Sequence, residues 1–148
     1  WIVKVKASVV QNMIYLNDDQ EAQVDCILAY MARNNIPTTQ TRPSRSSAVR
    51  YALERFAAQI RNGEYPDTGM LAKLDQIYAL TLVGDRGKMY SVWYSERAFE
   101  DMDTIGEHLL SRTDYEIRRL RLSKSGAYNK TLVVIFALAY IAFQVCAA

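Results

Sequence analysis

Two short segments carry strand chemistry, and neither can stand alone. "VVQNMIYLND" (Val9–Asp18) is rich in β-formers and ends in a polar cluster, and "KMYSVWYS" (Lys88–Ser95) repeats that chemistry in the second half. An isolated strand leaves its N–H and C=O groups unpaired, and a two-stranded ribbon needs other elements packed against it to persist. The fold must therefore bring two segments about 78 places apart into one antiparallel ribbon and put helices beneath it.

Helical patterns follow each strand in the same order. Asn17 or Asp18 is suited to cap a first helix, whose apolar positions Val24, Ile27, Leu28 and Met31 fall on one face. The pattern ends near Asn34-Asn35, "IPTTQTRP" reads as a loop, and Ser44 caps a second helix with Val49, Ala52, Leu53, Phe56 and Ile60 as its stripe. "NGEYPDTG" is the clearest linker. In the second half Ser95 caps a helix with Phe99, Met102, Ile105 and Leu109, "RTDYEIRRLRL" connects, and Ser123 is expected to cap a very apolar helix from about Lys124 to Phe143. Sliding by about 78 places pairs Leu16 with Tyr94, Val24 with Met102 and Ile27 with Ile105; sliding by 79 pairs Ser44 with Ser123, Arg45 with Lys124 and Leu53 with Leu132. The expected architecture is mainly α with a small β-ribbon. Residues 1–61 form one strand–helix–helix repeat, 62–75 a linker and 76–148 a second repeat, and the two share one core as an intramolecular pseudo-dimer. Lys4 and Lys6, alternating with Val3 and Val5, and "IYALTLV" (Ile77–Val83) are read as further strand-like stretches.

Composition constrains function more than fold. Half of the 148 residues are hydrophobic and the formal net charge is only +2, so no overall field points to nucleic acid. The basic residues cluster instead, with Arg42, Arg45, Arg50, Arg55 and Arg61 in one group and Arg112, Arg118, Arg119, Arg121, Lys124 and Lys130 in another. Two helix starts share a Ser-basic-Ser pattern, Ser44-Arg45-Ser46 and Ser123-Lys124-Ser125. A helix N-terminus presents unpaired N–H groups and partial positive charge, so it accepts phosphate, and the adjoining hydroxyls and cation add to this. The same serines also serve as plain N-caps.

Other classes find little in the residues. Cys26 and Cys146 lack metal-ligand spacing and are expected as free, packed thiols in a reducing bacterial cytoplasm. No enzyme constellation is visible and no cofactor is implied. His108 beside Glu107 is expected to be solvated, the acidic face of Asp101, Asp103 and Glu107 is expected to be solvated or to face a partner, and "GDRGK" lacks phosphate-loop spacing and reads as a turn. "TLVVIFALAYIAFQVCAA" approaches the length of a membrane tail anchor, but its fully apolar part is short and fits a helix buried at the centre of the fold, with a face to spare for self-association.

The strand ending "IYLND" followed by "SRSSAVRYALERF" resembles the ribbon-helix-helix family of DNA-binding proteins. The resemblance covers Val9–Arg61 and, with departures such as Gly126 for Ser47 and a greasier last helix, Lys88–Phe143. Two copies in one chain are similar to tandem members of the TraY type in conjugative plasmids and to accessory proteins of T-DNA processing. The resemblance implies a double-stranded DNA-binding protein that works beside a relaxase or other relaxosome protein, or a transcriptional repressor.

Such a ribbon enters the major groove, where its outer side chains meet base edges. Strand alternation places Ile14, Leu16, Val92 and Tyr94 toward the helices and Gln11, Met13, Tyr15, Met89, Ser91 and Trp93 outward. Gln11 and Ser91 suit base reading; Met13, Tyr15, Met89 and Trp93 suit thymine methyls, sugars or a protein partner equally well. Ser44, Arg45, Ser46, Ser123, Lys124 and Ser125 are the expected phosphate contacts.

Overall fold

β1 (Val9–Leu16) and β2 (Lys88–Ser95) pair antiparallel, with Val9 opposite Ser95 and Leu16 opposite Lys88. The computed structural model describes residues 9–37, 44–83, 87–122 and 127–146. Among these, five α-helices and the two-stranded ribbon make a mainly helical chain. Lys4, Lys6 and Arg42 lie outside the described residues. Ribbon alternation is as expected: Ile14, Leu16, Val92 and Tyr94 are buried against the helices. Burial pushes the Tyr94 phenol up to about 12. Gly87, at φ +86°, leads into β2 where a Cβ would lie 2.0 Å from the Leu16 carbonyl oxygen, so only glycine fits there.

α1 (Asp18–Arg33) starts at Asn17, which exchanges bonds with Gln20 in a capping box. α2 (Arg45–Arg61) starts in the same way at Ser44, paired with Ser47. α4 (Glu96–Ser111) is capped by Ser95, whose hydroxyl accepts the Ala98 N–H at 3.2 Å. The buried stripes are Val24, Ile27 and Met31 in α1, Val49, Ala52, Leu53 and Phe56 in α2, and Met102, Ile105 and Leu109 in α4.

α1 packs on α5 (Lys130–Cys146), α2 packs on α4, and α2 and α5 also pack against each other. Every residue of α5 from Leu132 to Ala142 is buried. Its apolar character follows from that central position. No helix among the described residues is long and apolar enough to cross a membrane.

Four expectations are corrected. The last helix starts at Lys130, not Lys124, with Asn129 rather than Ser123 as its cap: the Asn129 side-chain carbonyl accepts the Leu132 N–H at 3.1 Å. The backbone ahead of it is committed elsewhere. Leu122 N–H donates to Ala127 O at 3.0 Å and Asn129 N–H to Leu120 O at 2.7 Å, while Tyr128 lies over Gly106 and donates to Asp103 at 2.6 Å. "IYALTLV", read as strand-like, ends a helix, α3 (Thr68–Val83), which also takes up residues 68–75 of the expected linker. Asp67 caps that helix through the Met70 N–H at 2.8 Å, and Leu71, Leu74 and Tyr78 fall on one buried face, with α3 against α5. Cys26 and Cys146 are not free thiols; they form a disulfide that ties α1 to the end of α5. The solvated groups also differ. Asp101 is 1% exposed and accepts from Arg61 and Arg97, and His108 lies under the Tyr65 ring with centroids 4.5 Å apart.

Candidate nucleic-acid interface

The structure brings Gln11, Met13, Tyr15, Met89, Ser91 and Trp93 together on the ribbon's outer face. They form three cross-strand pairs, Gln11–Trp93, Met13–Ser91 and Tyr15–Met89. Four of the six are large and open to solvent: Met13 is 54% exposed, Tyr15 45%, Met89 53% and Trp93 43%. The Gln11 side-chain N–H donates diagonally to the Ser91 hydroxyl, so these two side chains are coupled.

The start of α2 is built onto the free edge of β2. Ser46 is buried, and its hydroxyl accepts the Trp93 N–H at 2.8 Å. One turn further, Arg50 Nη1 donates to the Trp93 carbonyl at 2.9 Å. Both backbone groups of Trp93 that face away from β1 are thereby satisfied, which blocks further strand addition at that point. Ser46 is therefore committed to holding the ribbon, not to an external phosphate. Burial lowers the Arg50 guanidinium from its ordinary range, because that charge is partly removed from water.

Arg45 stands beside the same edge. Its Nε and Nη2 donate to Glu21 at 2.9 and 3.2 Å, and its guanidinium lies 3.9 Å from the centroid of the Tyr90 ring. Two of the five guanidinium N–H donors are spent on Glu21. The side chain is still 43% exposed and is held in one orientation from two sides. Ser44 is engaged in the capping box.

Ser123, Lys124 and Ser125 lie outside the described residues, and the helix they were expected to start begins later. The basic residue at the start of α5 is Lys130, followed by Thr131, both exposed. They border a cavity of about 240 Å³ shared with Asn12, Met13 and Ile14 of β1. Lys130 Nζ lies 5.3 Å from the centroid of the Phe99 ring. Each strand thus has a helix start with a basic residue next to it, Arg45 by β2 and Lys130 by β1. The signal for Lys130 is present in the chain: α2 and α5 are both 17 residues long and share Val-x-x-Ala-Leu-x-x-x-Ala-x-Gln, from Val49 to Gln59 and from Val134 to Gln144. Against known proteins, the chain matches no protein-family model, no curated protein and no solved structure.

Proposed function

We propose that this chain is a double-stranded DNA-binding protein of ribbon-helix-helix type, with two strand–helix–helix halves folded as an intramolecular pseudo-dimer. Offsets between the halves support the pairing. A shift of 78 residues carries α1 onto α4, Asp18 to Glu96 and Arg33 to Ser111, with buried Val24, Ile27 and Met31 falling on buried Met102, Ile105 and Leu109. A shift of 85 carries α2 onto α5, Arg45 to Lys130 and Arg61 to Cys146, and the difference of seven is the longer connection ahead of α5. The packing partners exchange likewise, α1 with α5 and α4 with α2. Met13 and Ser91 are related by the first shift and are also cross-strand partners, which supports a pseudo-two-fold axis between them.

The observation that carries the DNA reading is the ribbon's uncovered outer face, flanked by two pseudo-equivalent helix starts that each present a cation. In this reading the ribbon lies in the major groove, and Arg45 and Lys130 with their helix N-termini hold the phosphates on either side. The protein then acts in the bacterial cytoplasm as an accessory factor for conjugative or T-DNA processing beside a relaxase, or as a repressor. Selection from a random duplex pool at two salt concentrations tests it: enrichment of a motif with salt-dependent retention is expected, and no retention at low salt would overturn it.

The exposed Met13, Tyr15, Met89 and Trp93 favour a second reading, in which the same face docks a protein. Retention without salt dependence, or retention of protein and not of duplex, separates the two.

A further inference from the structure

The two ends of the ribbon are chemically unlike, and that difference bears on which duplex the chain would read. About the proposed axis through Met13 and Ser91, Gln11 is equivalent to Met89 and Tyr15 to Trp93. One end therefore presents an amide beside an indole, and the other a thioether beside a phenol.

The amide is held. Gln11 Nε2 spends one of its two hydrogens on the hydroxyl of Ser91, a residue next to the proposed axis. This leaves one N–H and the Oε1 acceptor on the same planar group. Adenine offers the matching major-groove edge, an N6 donor beside the N7 acceptor. Guanine offers two acceptors there, N7 and O6, so Oε1 would face an acceptor and gain nothing. With its Nε2 end anchored, the amide cannot rotate to suit guanine without breaking the Ser91 bond. Met89, at the equivalent place, has no donor and is 53% exposed. An exposed apolar side chain in the groove finds one apolar partner on base edges, the C5-methyl of thymine.

We infer that the target is a pseudo-symmetric duplex whose half-sites are read by different chemistry: an adenine through the Ser91-anchored Gln11 on one side of the centre, and a thymine methyl through Met89 on the other. The inference rests on the DNA reading proposed above and adds the base specificity of each half.

Base analogues that remove one atom or one methyl group test it. The duplex enriched by selection is prepared with 7-deazaadenine, which lacks N7, or with uracil in place of thymine, which lacks the methyl, in one half-site at a time. Affinity is measured by fluorescence anisotropy at fixed salt. The deaza substitution is expected to weaken binding by about tenfold in one half-site only, and to have no further effect on Q11A. Uracil is expected to weaken binding a few-fold in the other half-site, with no further effect on M89A. S91A, which keeps Gln11 but frees its amide, is expected to narrow the preference for adenine over guanine. Equal losses from each analogue in both halves, or a deaza effect that persists in Q11A, would overturn the assignment. So would salt-dependent binding with no enriched motif, which leaves the DNA reading standing. Absence of any duplex binding at low salt would overturn both.

Discussion

Gln59 and Gln144 hold each other's amides: Gln59 Nε2 donates to Gln144 Oε1 at 2.7 Å, and Gln144 Nε2 donates to Gln59 Oε1 at 2.9 Å. They occupy the same place in α2 and α5, two residues before the end of each helix, so a reciprocal pair of this kind lies on the proposed two-fold axis, as Met13–Ser91 does in the ribbon. The pair is partly open to water, so its net contribution is modest. Each single substitution to Ala is expected to cost about 0.5–1 kcal/mol, and the double variant less than the sum, because the second change removes an amide already without its partner. Urea denaturation of the three variants checks this; strict additivity would mean the pair is not coupled.

The far ends of α2 and α5 are tied down in two ways, at positions that the proposed pseudo-symmetry makes equivalent. Arg61 Nη2 donates to Asp101 and Thr104, each at 3.1 Å, whereas the residues equivalent to Arg61 and Thr104, Cys146 and Cys26, share a disulfide. The disulfide closes a separation of 120 residues, so its reduction is expected to lower stability by about 2–4 kcal/mol. C26S should show the lower stability and no response to reductant. A bacterial cytoplasm keeps thiols reduced and would hold the chain at the lower value. R61A is expected to cost about 1–3 kcal/mol, since it leaves buried Asp101 only the 3.5 Å approach of Arg97. Denaturation with and without reductant reads both.

His108 is expected to make stability pH-dependent. Burial lowers its pKa from 6.5, helped by the nearby Arg112 charge, and its Nε2 is buried without a partner. The unfolded chain therefore takes up a proton on this residue at a higher pH than the folded chain does. That contribution is fully present above pH 6.5 and is lost as the pH falls through the lowered folded value. The melting temperature is expected to fall between pH 7.5 and pH 5.5, and to fall less in H108Q. An equal fall in the two proteins would remove His108 as the cause.

Elements with local signals were legible in the sequence. Period-two alternation places the outer and inner faces of both strands, and Asn17 or Asp18, Ser44 and Ser95 mark three helix starts, because a cap acts on the turn it begins. The start of α5 was not legible in the same way. Ser123-Lys124-Ser125 carries a convincing local signature, but Tyr128 over Gly106 and the backbone bonds between residues 120–122 and 127–129 decide the matter across space. α3 is not legible as a helix because Ile77–Val83 is rich in β-formers, while its helical state depends on Asp67 upstream and on α5 for burial. In the candidate site, the outer ribbon residues were found from alternation alone. The burial of Ser46 under Trp93 and the grip of Arg50 on its carbonyl were not, because both join residues more than 40 places apart.

The central claim, that Arg45 and Lys130 at two pseudo-equivalent helix starts hold phosphates on either side of a groove-bound ribbon, is tested most directly by the salt dependence of duplex binding. Affinity of the intact chain and of the R45A/K130A variant is measured against salt concentration, with a melt confirming that both remain folded. The account predicts weaker binding of the variant to every duplex and a log–log slope shallower by about two, one for each phosphate that is no longer neutralised. An unchanged slope in a folded variant would contradict it.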